Sequence, residues 1–109
     1  MANLQYQLVL TTSPDAQTAE TIARTLVEEE LAACVNVLPP MASVYRWRNA
    51  VETASEQLLI AKIRAADYDA VEQRIVQLHP YELPEVIAIP IGNGLPGYLS
   101  WLENPCGTE

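Results

Sequence analysis

Two stretches of helical periodicity, each flanked by short β-rich runs, constrain this chain more than any other feature. Ala19, Ile22, Ala23, Leu26 and Val27 recur at i, i+3, i+4, i+7 and i+8, which is one face of an amphipathic helix. Ser13 can cap that helix, Pro14 suits its first position, and Asp15 favours its positive end. The acidic run Glu28-Glu29-Glu30 closes it, against the sense of the helix dipole. A second helix is expected over 66–78, capped by Asp67, with Tyr68, Val71, Ile75 and Leu78 on one face.

The segments around these helices read as strands. Residues 5–11 carry Leu8-Val9-Leu10, and the latter half of 31–38 is apolar and too short for a helix. Pro39-Pro40 then forces a bulge, a bend or an edge position, because proline cannot donate to a ladder. Strand character resumes over 43–47, stops in the polar, turn-like 49–55, and returns over 56–64, which together predict a long hairpin. No helix can run through His79-Pro80-Tyr81-Glu82-Leu83-Pro84, so 79–84 is a loop. Residues 85–91 read as a buried-type strand, Gly92-Asn93-Gly94 breaks it, and 95–103 forms a short last helix with Tyr98 and Trp101. The order β-α-β-β-α-β plus a terminal helix is that of an α+β, ferredoxin-like sandwich. Right-handed crossovers place both main helices on one sheet face. The opposite face would be bare, and Leu58 and Ile60 are too apolar for a solvated one, so burial against other subunits is expected.

The chain has 109 residues, which fits one domain over 1–109. With no Phe, core volume must come from Leu, Ile, Val, Tyr and Trp. The net charge of −8 opposes nucleic-acid binding, since an acidic surface repels phosphates. The start of the chain has neither a basic nor a long apolar region, and no stretch is long enough to span a bilayer, so a cytoplasmic protein is expected. Cys34 and Cys106 are too few for a disulfide scaffold. Cys34 reads by default as a buried free thiol, while Cys106 lies in a Pro/Gly-bounded tail.

Five ordered blocks now carry a resemblance. They are Ala32-Ala33-Cys34-Val35-Asn36-Val37, Ser43-x-Tyr45-x-Trp47, Glu56-x-Leu58-Leu59-Ile60-x-Lys62, His79-Pro80-Tyr81-Glu82-x-Pro84-Glu85 and Tyr98-x-x-Trp101. Together they resemble the CutA divalent-cation-tolerance family, from about Leu8 to Leu102. The resemblance implies a homotrimer with an architecture similar to PII-type regulators, and a role in tolerance of divalent metals, copper above all. The chain departs from the family pattern at Asn49, usually Gly, and at Thr11 and Leu78, where some members carry Cys and a second His. The last two changes remove copper ligands.

His79, the only histidine, could join Glu82 and Glu85 in a weak mixed nitrogen–oxygen site for copper or another divalent cation. The alternative is a proline-fixed loop whose His caps the preceding helix. Glu56 and Lys62 are six residues apart and share a strand face. They suit either an ion pair across the trimer or, with Cys34, Asn36, Tyr45, Trp47 and Tyr81, a small-molecule pocket between subunits. Trp47 and Trp101 read as core and interface anchors. A Cys34–His79 dyad would require proximity, and no Walker loop, CxxC pair or Gly-x-Ser-x-Gly is present. Three readings follow: a metal-response trimer without turnover and with no required cofactor, a PII-like sensor, and, least supported, an enzyme.

Overall fold

Strand β1 (Tyr6–Ser13) and strand β4 (Ala50–Arg64) form the centre of the sheet, paired antiparallel from Tyr6↔Arg64 to Ser13↔Gln57. The structure, a computed structural model, describes residues 5–105. The remaining elements are α1 (Ala16–Glu28), β2 (Cys34–Val37), β3 (Met41–Trp47), α2 (Tyr68–Leu78), β5 (Ile87–Pro90) and α3 (Pro96–Glu103). The sheet order is β2-β4-β1-β5, with β3 on the early half of β4 and every pairing antiparallel. This is the expected ferredoxin-like order, with one strand split in two by Pro39-Pro40.

One face of the sheet carries the core. Val9, Leu59, Ala61 and Ile63 meet Ala19, Ile22 and Leu26 of α1 and Val71 and Ile75 of α2. Alternation along each strand sends Leu8, Leu10, Leu58 and Ile60 to the other face, where Ile87 and Ile89 are 50% and 45% exposed. The 85–91 segment is therefore not a fully buried strand; only its Ala88 side packs on the core. Helix α3 lies at the Tyr6 end of the bare face. There Glu103 accepts from Tyr6 Oη at 2.9 Å and from Arg64 at 3.4 Å.

The prolines insert one residue. Cys34 pairs with Lys62, and the Leu38 N–H still reaches the Leu58 carbonyl at 2.9 Å. Beyond them Met41 pairs with Glu56, so Pro39 and Pro40 together oppose Gln57. Two residues against one is a β-bulge. Gln57 Nε2 donates to the Leu38 carbonyl at 3.1 Å across this gap. Because side chains alternate with period two, the extra residue reverses parity. Cys34 and Asn36 thus share the bare face with odd-numbered Met41, Ser43, Tyr45 and Trp47.

Several local expectations are corrected. Helix α1 starts at Ala16, and its cap is Asp15, which accepts from the Thr18 N–H at 2.7 Å. Ser13 stays in β1 and donates to the Asp15 carbonyl at 2.7 Å. The acidic run has a tertiary explanation: Arg74 of α2 holds Glu29 at 2.9 Å, which keeps that carboxyl below its usual range. Asp67 closes a short 3-10 turn (Ala65–Asp67) and is the N-cap residue of α2, as expected, but its carboxylate binds Arg64 at 2.9 Å and makes no capping hydrogen bond. The segment 49–55 is mostly strand. The turn is Arg48-Asn49 alone, with φ of 50° and 68°, a type I′ hairpin turn. Cys106 falls outside the described residues.

Asn49→Gly should fold as the parent does, whereas Asn49→Val should lose about 1–2 kcal/mol, the cost of left-handed backbone for a residue with Cβ branching. Denaturant midpoints of the two variants measure the difference.

Candidate functional site

The loop after α2 is built by Pro80. A residue before proline is driven to extended backbone, and His79 has φ −86° and ψ 136°. Its backbone N–H still closes the helix on the Ile75 carbonyl, but its ring turns toward the sheet instead of the helix end. His79 is 8% exposed. Nε2 lies 2.6 Å from the Thr12 carbonyl, so it carries the proton and donates, and Nδ1 accepts from the Tyr81 N–H at 3.2 Å. Both nitrogens are thereby used: His79 caps the helix through its backbone, as expected, while its ring serves as a strut between loop and sheet.

Tyr81 packs on that ring at 4.6 Å between centroids and sends its hydroxyl to Glu56 Oε2 at 2.8 Å. Burial, then the hydrogen bond to the Glu56 carboxylate, push the Tyr81 phenol up to about 12. Glu56 itself is 8% exposed. Tyr45 and Trp47, brought to this face by the bulge, complete a cleft of about 880 Å³ that Glu82 and Glu85 also line. At its rim Arg48 binds Glu82 at 2.8 Å, with its guanidinium 5.2 Å over the Trp47 ring.

The seven residues expected in one pocket occupy two places within a protomer. Tyr45, Trp47, Glu56 and Tyr81 form the cleft. Cys34, Asn36 and Lys62 form a second group, in which Lys62 Nζ donates to Asn36 Oδ1 at 3.0 Å and lies 5.9 Å from the Tyr98 ring. Glu56 and Lys62 share a face as expected, but six residues of strand separate them by roughly 20 Å. Cys34 is half-exposed, not buried. It lies opposite Lys62, whereas His79 holds Thr12, the partner of Leu58, so no Cys34–His79 dyad forms. Trp47 and Trp101 are half-exposed and belong to no core within the protomer.

The metal set does not assemble either. Among the described residues no group of three or more His, Cys, Asp or Glu side chains stands in the geometry of a metal site. His79 has no free nitrogen and Glu82 is paired with Arg48. Thr11 is buried on the core side of the sheet and its Oγ1 has no partner among the described residues, while Leu78 packs against the core. The described residues of one protomer therefore do not form a set that fits a resident copper or other divalent ion. Arg48, Met41, Ser43 and the Thr12 carbonyl were missed from sequence. Only Arg48 had a signal there, its place beside the Asn49 turn.

The family model for the CutA1 divalent ion tolerance protein matches residues 7–105. The chain belongs to this family. It is 44% identical over 101 residues to the divalent-cation tolerance protein CutA of Thermus thermophilus, covering 93% of this chain and 98% of that one. The solved structure of a Thermus thermophilus divalent cation tolerance protein, also 44% identical, superposes with a TM-score of 0.87, over 89% of this chain and 94% of its own. A CutA homolog of Xenopus laevis is 45% identical over 91 residues, which is 84% of this chain and 60% of the relative's length. The structure of a CutA protein of Archaeoglobus fulgidus named as periplasmic is 36% identical, with a TM-score of 0.87 over 90% of this chain and 95% of its own.

The raised Tyr81 phenol fixes a pH dependence. A group held above its ordinary value of about 10 favours the folded state while it is neutral, and that contribution is lost as pH rises toward about 12. Phenolate absorbance should show this tyrosine ionising late, and Glu56→Gln should move it to lower pH by removing the charge while keeping an acceptor.

Proposed function

We propose that the protein serves tolerance of divalent cations as a homotrimer, by binding rather than by turnover. The observation that carries the assembly is the bare sheet face, where Leu8, Leu10, Ile60, Ile87 and Ile89 form an apolar surface that neither main helix covers. Pairing of such faces around a three-fold axis buries all three at once. The relatives are named as tolerance proteins, not as enzymes, which supports the absence of turnover.

Copper or another divalent cation enters this reading as a weak associate of the exposed rim carboxylates Glu82 and Glu85, with a neighbouring subunit supplying further oxygens. No closed centre among the described residues of one protomer supports more. No helix among the described residues is long and apolar enough to cross a membrane. A cytoplasmic location is part of the proposal; the half-exposed free thiol of Cys34 suits a reducing compartment.

A second reading, a PII-like ligand-binding trimer, rests on the cleft. Its volume lies within the range of small-molecule sites, and its aromatic walls surround a few polar groups.

Light scattering should give three times the chain mass, and Ile60→Asp should dissociate the assembly to monomer; a monomeric parent overturns the trimer. Calorimetric titration with Cu(II) should show weak binding that His79→Ala leaves unchanged, because both ring nitrogens are already engaged. Tight, saturable binding abolished by that variant would restore a histidine-centred site.

A further inference from the structure

We propose that the cleft binds a small organic cation, a primary ammonium or guanidinium group on an apolar body, with the Glu56 carboxylate as its counter-ion. The inference rests on the second reading above, in which the cleft stays open at the subunit boundary, and adds the class of ligand.

Glu56 is the key group. It is 8% exposed and lines the cleft. Its Oε2 accepts from Tyr81 Oη, but its Oε1 takes no hydrogen bond from the described residues, and no cation pairs with it among them. One oxygen of a mostly buried carboxylate is thus left able to accept a charge-assisted hydrogen bond from a bound cation. The rest of the lining points the same way. Glu85 adds a second carboxylate, and none of the residues lining the cleft is basic.

The walls select an organic cation over an inorganic one. A divalent ion needs several converging oxygens, and the described residues gather no such cluster. Trp47, Tyr45 and Tyr81 instead offer aromatic surface, with Leu58 and Met41 for an apolar body. The rim already holds an example: the Arg48 guanidinium sits over the Trp47 indole with Glu82 at 2.8 Å. A ligand deeper in the cleft would repeat that arrangement with Glu56 as the carboxylate.

The test uses the full-length protein in its native assembly. Thermal shift and calorimetry are run with methylguanidinium chloride and butylammonium chloride, beside sodium butyrate and adenosine monophosphate. Both cations should stabilise saturably in the millimolar range, and Glu56→Gln should weaken them about tenfold, the scale of one charge-assisted hydrogen bond. Circular dichroism and mass report whether that variant folds and assembles. If it does not, Trp47→Leu, a change at a half-exposed rim position, should weaken both cations about threefold. Cation binding undiminished in both variants overturns the inference. Saturable binding of the anions alone overturns it too, but leaves a ligand cleft standing. Binding of no probe removes both the inference and the second reading.

Discussion

The antiparallel pairing of β1 with β4 is the interaction on which the remaining structure depends. Strand β4 is 15 residues long and accepts β1 on one edge and β2 and β3 on the other. Its later half is a sheet strand with one face under two helices. Its earlier half leaves the core and becomes a hairpin arm, exposed along most of its length. One strand thus serves two environments, and the sequence changes character along it, from Leu58-Leu59-Ile60 to the polar Glu52, Thr53 and Ser55.

That change explains what can and cannot be read from sequence. The α1 and α2 helices are legible because Ile22, Leu26, Val71 and Ile75 repeat at helical spacing and one face of each is buried. The prolines announce an interruption between β2 and β3. The hairpin arm reads as a turn because an arm with no core on either side loses the apolar alternation that marks a strand. The helix start is misplaced because Ser13 has cap chemistry but is claimed by its ladder partner Gln57. The Glu29 charge makes no local sense because its partner, Arg74, comes from another helix. Long-range partners of this kind leave no periodic trace.

The candidate site shows the same division. Its residue types are visible, since Tyr45, Trp47, Glu56 and Tyr81 all stand out as polar or aromatic groups on strands and loops. Their grouping is not, because distance along a strand separates what face-sharing suggests should meet. Glu56 and Lys62 illustrate this, lying on one face and well apart. The histidine loop is legible as a special segment, but its chemistry turns on ring orientation. Pro80 fixes the backbone so that His79 spends both nitrogens on structure, and the loop becomes a wall that presents Tyr81 to Glu56.

The bulge at Pro39-Pro40 also sets a rule for how this hairpin can change by insertion and deletion. Because strand faces alternate, the face that Tyr45 and Trp47 share with Glu56 depends on whether the number of residues gained or lost between Leu38 and Tyr45 is odd or even. Changes of two residues keep both aromatics on the cleft face but slide them about 7 Å along β4. A change of one residue takes both aromatics off the bare face without touching the core or the helices. Parity in this arm therefore decides which face the aromatics take, and the register set at the bulge decides how near Glu56 they stand.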